Sequence, residues 1–203
     1  TKIERKEKQW IVKSNGHTNS VDKVVLTVPL PEALSILEET DSVSGQKKAK
    51  YRNLKNIGAL VLLLRLKKKF LPNQSYWLNI LERQFPFVAL IEHTNFIAPD
   101  KYNGEHLVYV GGYYHQDDEI FRAQPKKIMS TFSPYLRRLN PSFENFLIDY
   151  EVFRYPWSQP VIETNYKDKK PDYELVPGQI YWATSNHIFP WDRGVNYAIE
   201  SAR

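Results

Sequence analysis

The residues with the most specific chemical potential lie near the end of the chain, in residues 191–196 (WDRGVN). Gly194 lets the backbone approach a ligand, and the free N–H groups at the start of the predicted helix that follows can bind an anion. Asp192 is suited to capping that helix, and Arg193 can pair with a phosphate or carboxylate. The segment therefore predicts a contact with a negatively charged ligand group.

A second group of polar side chains follows the apolar segment 85–91 (FPFVALI). Phe87 lies within this predicted strand, and Glu92, His93 and Asn95 come at its end. A few polar groups that converge on an apolar wall are typical of a ligand pocket, so these four residues are candidates for binding substrate. The pattern favours equally a strand end whose polar groups are satisfied by local hydrogen bonds.

Other kinds of reactive site find no support in the sequence. The chain has no cysteine, which excludes thiol nucleophiles and cysteine-ligated metals. Its five histidines lack H-E-x-x-H or comparable spacing, so we expect no metal site. Neither G-x-G-x-x-G nor a P-loop motif occurs, so these residues contain no glycine loop that would hold phosphates, and the sequence identifies no catalytic residue.

The net charge of +5 is typical of nucleic-acid-binding proteins, but its distribution argues against that function. Nine basic residues lie between Lys47 and Lys69 without an Asp or Glu, which leaves 28 − 9 = 19 basic against 23 acidic residues elsewhere. The middle of this basic cluster, residues 57–64, is apolar and lacks interleaved stacking aromatics. We therefore expect a buried strand with charged ends and no nucleic-acid partner. The alternative is a patch for a phosphate, an acidic substrate or an anionic membrane, which leaves peripheral membrane contact open.

Hydrophobic periodicity and turn residues divide the chain into helices and strands. We predict strands at 10–12, 21–28, 56–66, 76–81, 87–92, 105–114 and 179–183, and helices at 32–39, 125–139 and 194–202. Asn15-Gly16 predicts a hairpin turn, and the apolar residues 24–28 predict a strand covered on both faces. Residues 146–153 are compatible with a strand or a helix, and residues 166–172 read as a charged linker.

This order predicts an α+β (mixed α/β) fold, with a mixed, largely antiparallel sheet flanked by helices. The polar turn at 41–46 and the linker at 166–172 suggest three sections, 1–40, 41–172 and 173–203. The apolar run 57–66 is too short to span a membrane, and the N-terminal residues lack the apolar core of a signal peptide. We therefore expect a cytoplasmic protein.

Two segments resemble the FAD-binding sequences of flavin-containing amine oxidases and protoporphyrinogen oxidase-like oxidoreductases. Residues 190–198 (PWDRGVNYA) are similar to the C-terminal fingerprint P-x-D-R-G-x-N-x-A at a helix start. Residues 22–29 (DKVVLTVP) are similar to the strand D-x-V-V-x-A-x-P, with Thr27 in place of the usual small residue. The long insert between them resembles the substrate domain of this family.

The resemblance implies a role for each section. Sections 1–40 and 173–203 would be remnants of a Rossmann-like FAD-binding domain, and 41–172 the substrate-binding domain. Asp192, Arg193 and Gly194 would lie near the flavin ribityl chain and pyrophosphate, with the Val195 N–H facing the isoalloxazine carbonyl and Asn196 supporting that turn. Val28 and Pro29 would lie along the adenosine.

The family's N-terminal G-x-G-x-x-G half is absent from these residues, so the resemblance implies the C-terminal portion of a larger flavoprotein. We expect the missing N-terminal FAD-binding half as a partner, a small-molecule substrate, FAD in the full-length protein, and neither firmly bound FAD nor activity in this fragment. The alternatives are a non-redox flavoenzyme and an interaction module. The first would be similar to UDP-galactopyranose mutase, which residues 85–96 loosely resemble, with the basic cluster meeting a diphosphate. The second would use that cluster to bind a membrane or acidic partner.

Overall fold

A computed structural model describes residues 1–191 and 194–202 of the chain. The strands are β1 (Lys2–Lys6), β2 (Gln9–Ser14), β3 (His17–Val21), β4 (Val24–Leu26), β5 (Asn56–Leu66), β6 (Trp77–Asn79), β7 (Ala89–Glu92), β8 (His106–Tyr114), β9 (Leu147–Pro160), β10 (Glu174–Val176) and β11 (Ile180–Trp182). The α-helices are α1 (Leu30–Glu38), α2 (Gly45–Arg52), α3 (Glu119–Arg122), α4 (Pro125–Leu139), α5 (Tyr166–Lys169) and α6 (Val195–Glu200). Single helical turns occur at His93–Asn95, Pro99–Tyr102, Phe143–Phe146 and Ser185–His187. The fold is α+β, as predicted.

The chain forms two compact units whose limits differ from the predicted sections. The first unit comprises Thr1–Asn56 and Gln159–Arg203, and the second comprises Ile57–Ser158. The predicted limits near residues 40 and 172 fall inside the first unit, because α2 and α5 each place a buried tyrosine, Tyr51 and Tyr166, in its core. The amphipathic signal of these short, highly charged helices is too weak to assign them to a core from sequence.

The first unit begins with the antiparallel sheet β1-β2-β3. Asn15 and Gly16, with φ of 50° and 77°, form the predicted two-residue turn between β2 and β3. Such a turn requires positive φ at its two central positions, which Asn and Gly adopt at low cost. The predicted hairpin is therefore confirmed, and its buried Trp10 joins the core of the unit.

The other sheet of the first unit has the order β10-β11-β4, with β11 and β4 parallel. Leu26 and Trp182 are paired across these strands, and both side chains are buried. Val25 lies between buried neighbours but is 61% exposed. Among the described residues, only one face of this sheet is packed against the core of the unit, whereas the sequence predicted a strand covered on both faces.

The second unit is built on a five-stranded sheet with the order β6-β7-β8-β5-β9. Every second residue of β5 from Leu60 to Leu66 is fully buried. This face packs with the apolar side of α4, which contributes Ile128, Phe132 and Leu136 to the same core. The helix begins at Pro125 and ends at Leu139, as predicted from its apolar spacing.

Four local differences from the sequence predictions have plain physical reasons. Residues 146–153, compatible with either element, belong to the long strand β9. The predicted linker 166–172 contains α5, whose Tyr166 is buried. Helix α2 was not predicted, because it has one buried residue and a largely charged sequence, although the Ser44 side chain accepts a bond from the Lys47 N–H at its start. The predicted helix 194–202 is shorter at both ends.

The close approach of β8 to β5 gives a test of this packing. A Cβ atom at Gly111 would clash with the Leu60 carbonyl oxygen, whereas one at Gly45 would meet nothing within 4 Å. We expect Gly111→Ala to lower the free energy of unfolding by about 1–3 kcal/mol, because backbone atoms cannot yield as flexible side chains do. Gly45→Ala, the matched control in α2, should leave stability within about 1 kcal/mol of the parent. Urea unfolding measures both, and equal stability of the two variants would contradict the strand register.

Candidate functional site

The carboxyl ends of β4 and β11 bring together two parts of the chain that are far apart in sequence. The strands are parallel, and the Ala183 N–H donates to the Leu26 carbonyl at 2.9 Å just beyond the paired residues. Val28 and Pro29 follow β4, and the Trp182 indole N–H donates to the Val28 carbonyl at 3.4 Å. In open α/β sheets, cofactors bind outside the carboxyl ends of such strands.

The exposed face of these two strands forms a groove of about 1010 Å³. Val25 and Tyr181 contribute side chains from the strands, Ala183 and Thr184 lie at the end of β11, and Ala198 contributes from α6. The lining is mostly small or apolar. Its size and composition are those of sites that hold a small molecule or cofactor.

Part of the predicted FAD-contacting segment borders this groove. Gly194 lines it, and a Cβ atom at this position would lie 2.6 Å from the Asn196 Oδ1, so the approach is close. Its φ of −173° is ordinary extended backbone. Val195 is 79% exposed at the start of α6, a helix of only six residues, so the helix end by itself does not establish an anion site. Asp192 and Arg193 lie outside the described residues.

His187 supports the turn that follows β11, a role that the sequence analysis missed. The Thr184 N–H donates to His187 Nδ1 at 3.2 Å. The imidazole stacks on Tyr173 with ring centroids 4.5 Å apart, and meets the edge of Trp182 at 5.3 Å. Burial lowers the pKa of His187 to about 4, so the ring is neutral near pH 7. Only the Thr-x-x-His spacing could have suggested this local cap.

Two of the residues predicted to bind substrate in the second unit have structural partners. Phe87 is 2% exposed and packs between Phe85 and Phe132, at ring distances of 5.4 and 5.1 Å. Glu92 is fully buried, and its carboxylate accepts the N–H groups of Phe70 and Leu71 at 2.9 and 2.7 Å. These contacts match the local hydrogen-bonding interpretation, and a substrate contact for either residue stays a prediction.

The other two predicted residues lie in the helical turn after β7. Asn95 donates from Nδ2 to the Ser75 carbonyl at 2.9 Å and so holds the preceding loop. His93 Nε2 is 2.6 Å from the Tyr102 hydroxyl, and its ring meets the edges of Tyr102 and Tyr109 at 5.3 and 5.9 Å. The structure therefore separates His93 from the buried positions of Phe87 and Glu92.

One face of the five-stranded sheet is only partly covered, and we call it the open face. Its residues alternate with the buried ones and are paired across three strands: Ile91 of β7 with Tyr109 of β8, and Tyr109 with Leu63 of β5. His93 contacts this face through Tyr109. The open face thus presents an apolar wall with one imidazole at its margin, which is an arrangement that can position an apolar substrate.

The basic cluster does not form a continuous positive surface. Four of its nine cations are paired with carboxylates that come from distant parts of the sequence. These pairs are Lys47 with Asp172 at 3.3 Å, Arg52 with Glu38 at 2.6 Å, Lys55 with Glu163 at 2.6 Å and Arg65 with Glu105 at 2.7 Å. Arg65 lies in β5, the strand that was predicted within the basic cluster.

In residues 1–191 and 194–202, no three histidine, aspartate or glutamate side chains are grouped as metal ligands would be. Within the same ranges, every helix is too short or too polar to cross a bilayer.

Comparison with known proteins identifies the family. A family profile described as flavin containing amine oxidoreductase matches residues 1–203. The chain belongs to this family. No curated protein sequence is similar enough to count as a match.

Several solved structures share the fold. A protein from Exiguobacterium sp. 255-15 described as a protoporphyrinogen oxidase has a TM-score of 0.70 at 14% identity, over 100% of this chain and 44% of its own. Cyclohexylamine oxidase from Brevibacterium oxydans IH-35A has a TM-score of 0.72 at 13% identity, over 98% of this chain and 45% of its own. Reduced UDP-galactopyranose mutase has a TM-score of 0.64 at 17% identity, over 82% and 35%. The chain thus spans less than half the length of these proteins.

The residues near the groove fit part of a bound flavin nucleotide. Ala183 and Gly194 have little or no side chain, and the two parallel strands end at the same edge beside them. The sequence has no glycine loop that would hold the pyrophosphate of such a cofactor.

Burial of His187 predicts a dependence of stability on pH. A pKa of about 4 in the folded state, below the unfolded value near 6.5, means that the unfolded chain takes up the proton first as pH falls. The free energy of unfolding should therefore decrease from about pH 6.5 towards pH 4, by up to about 3 kcal/mol from this group.

Urea unfolding of the parent, of His187→Gln and of His17→Gln measures this effect. His187→Gln should reduce the decrease between neutral and acidic pH. His17, exposed at the start of β3, is the matched control, and His17→Gln should leave the decrease unchanged. An identical pH dependence in the parent and His187→Gln would contradict the assignment.

Proposed function

We propose that this chain supplies the substrate-binding sheet and the C-terminal FAD-contacting segment of a flavin-dependent oxidoreductase. The observation that carries the proposal is the parallel pair β4–β11 with its adjoining groove, in a chain of the flavin containing amine oxidoreductase family. When bound, the flavin would accept a hydride from a C–H next to an amine or similar group, while the protein positions the reactants.

The residues that would meet FAD are those at the carboxyl ends of the two strands. Val28 and Pro29 would lie along the adenosine, and Gly194, Val195 and Asn196 would lie near the flavin. The family resemblance adds Asp192 and Arg193 near the ribityl chain and pyrophosphate. Small side chains at Ala183 and Gly194 support this assignment, because they leave the backbone accessible to a ligand.

A partner for this half-site is part of the proposal. Among the described residues, β4 ends its sheet with one edge unpaired, and the face next to that edge exposes Val25. An unpaired strand edge and an exposed apolar face together suit another strand and a covering helix. We propose that an N-terminal FAD-binding half, with the glycine loop, occupies this position in the full-length protein. The 203 residues alone would then bind FAD weakly or not at all and lack activity.

Substrate would lie against the open face of the five-stranded sheet. Its apolar residues would contact the carbon skeleton, and His93 would orient a polar group of the substrate from the margin. The 2.6 Å hydrogen bond to Tyr102 holds the imidazole in position for this role. Burial of Glu92 and its bonds to two backbone N–H groups favour a supporting role for that carboxylate.

The mutase alternative needs cations that are free to meet a diphosphate. In the part of the basic cluster from Lys47 to Arg65, four of the cations are already paired with carboxylates. The likeness to UDP-galactopyranose mutase, at 17% identity, concerns the fold. The ion pairs leave part of the basic cluster for a diphosphate, so the mutase stays the second candidate.

Flavin content tests the proposed division of the site. We expect the purified full-length protein to show the visible absorbance of one FAD per chain, and the 203-residue chain to show little or none. Anaerobic addition of cyclohexylamine or putrescine should bleach the flavin of the full-length protein, because an amine substrate would reduce it.

Each outcome has a defined meaning. Stoichiometric FAD on the 203-residue chain would disprove the need for another half. A full-length protein without FAD would disprove the flavin function itself. Bound flavin that amines do not reduce, together with sugar-nucleotide isomerisation, would favour the mutase.

His93 is tested in the full-length protein by His93→Phe, which keeps an aromatic ring beside Tyr109 but removes the polar nitrogens. We expect kcat/KM for an amine that reduces the flavin to fall about tenfold, as the loss of one polar contact implies, with unchanged FAD content. His115→Phe, at an exposed loop position, is the control and should have no effect. Anaerobic rapid mixing measures flavin reduction, and unchanged kinetics in His93→Phe would exclude a substrate contact.

A further inference from the structure

Three exposed aromatic rings form a continuous surface at the edge of the second unit. Tyr76 is 40% exposed, Trp77 52% and Phe96 72%. The Tyr76 ring centroid lies 5.4 Å from that of Phe96 and 6.5 Å from that of Trp77. Trp77 begins β6, the outermost strand of the sheet. Adjacent large aromatic side chains in contact with water are typical of an interaction surface rather than of chance exposure.

Three consecutive lysines, Lys67, Lys68 and Lys69, follow β5 and are exposed. None of them has an ion-pair partner among the described residues, in contrast to Arg65 two positions earlier, which pairs with Glu105. They are three of the five cations of the basic cluster that have no ion pair among the described residues, together with Lys48 and Lys50 of α2. A local charge of +3 is left for something outside this chain.

The lysines and Tyr76 lie at the two ends of one anchored loop, and Phe96 joins them through its ring contact with Tyr76. The Glu92 carboxylate accepts the N–H groups of Phe70 and Leu71, directly after Lys69. The Glu92 N–H donates to the Tyr76 carbonyl at 2.9 Å, at the other end of the same loop. One buried residue thus holds both ends, so the lysines and the rings lie at the same end of the sheet.

We propose that Lys67–Lys69 with Tyr76, Trp77 and Phe96, which we call the aromatic–lysine surface, binds the surface of a membrane that contains anionic lipids. Aromatic rings partition to the depth of the lipid headgroups, and lysines are attracted to anionic headgroups at that interface. Charge complementarity selects an anionic partner, and the exposed rings add the apolar contact that a bilayer surface accepts.

Two other kinds of partner, nucleic acid and an acidic protein, fit the aromatic–lysine surface less well. The rings are tilted by 49° and 53° to one another, so they do not form a common plane for successive nucleic-acid bases. An acidic protein would satisfy the lysines but would need a complementary apolar pocket for each ring. The proposal goes beyond the flavin function and does not depend on it.

Co-sedimentation with vesicles tests the proposal on the full-length protein. We expect binding to vesicles of equal parts phosphatidylcholine and phosphatidylserine at low salt, and at least about tenfold weaker binding at high salt because screening shortens the electrostatic attraction. Pure phosphatidylcholine vesicles should bind this protein far more weakly. Equal binding to both vesicles, or binding to soluble heparin but to neither vesicle, would overturn the proposal.

A triple lysine variant distinguishes the contribution of this surface to membrane binding from the contribution of the net charge. Lys67→Gln with Lys68→Gln and Lys69→Gln should lower the partition coefficient about 100-fold, which is about fivefold for each lysine. The matched control, Lys6→Gln with Lys126→Gln and Lys127→Gln, removes the same charge from other exposed positions and should cost less than about threefold. Equal losses in the two variants would show that net charge alone is responsible and would overturn the proposed surface.

Brominated lipids report which tryptophan enters the interface. Trp77 and Trp191 are 52% and 62% exposed, whereas Trp10 and Trp182 are buried. Quenching of tryptophan fluorescence by vesicles that contain brominated lipid should be largely lost in Trp77→Phe and retained in Trp191→Phe. Quenching that disappears in Trp191→Phe instead would transfer the contact to the first unit and overturn the proposal.

Discussion

The parallel pairing of β4 with β11 is the constraint on which the first unit depends. It joins Val24 to Ile180, which are 180 − 24 = 156 positions apart, and so closes a very long loop. Such closure costs conformational entropy that the short strands alone could not offset. Burial of Leu26 and Trp182 on the packed face supplies the compensating stability. Because both strands must end at the same edge, two segments with weak chemical meaning by themselves become one candidate site.

In the five-stranded sheet, the alternation of buried and exposed residues places the core on one face and the candidate substrate-binding residues on the other. The buried residues of β5 and the helix α4 make the core, while the intervening positions remain on the open face. The polar residues after β7 divide in the same way. Glu92 points into the protein and holds a loop through two backbone N–H groups, whereas His93 contacts Tyr109 of the open face. Glu92 and His93, which are adjacent in the sequence, therefore have different structural roles.

The distribution of charge also depends on contacts between residues that are far apart in the sequence. Between Lys47 and Lys69 the sequence contains no acidic residue, yet Asp172, Glu38 and Glu163 meet three of the cations in the folded chain. Exposed pairs of this kind contribute little stability, commonly below about 1 kcal/mol each. These pairs neutralise part of the cluster and leave the other cations, which include the lysines after β5, without an ion pair among the described residues.

The sequence alone determined the features that depend on neighbouring residues. Asn15-Gly16 specified its hairpin through backbone preferences, the apolar spacing of residues 125–139 specified α4, and the two segments around 22–29 and 190–198 indicated the flavin family, to which the chain belongs. The tertiary structure alone decided the limits of the two units, the burial of His187, the exposed face of Val25 and the separation of His93 from Glu92. These depend on which distant residues meet, and local periodicity carries no information about partners more than a hundred positions away.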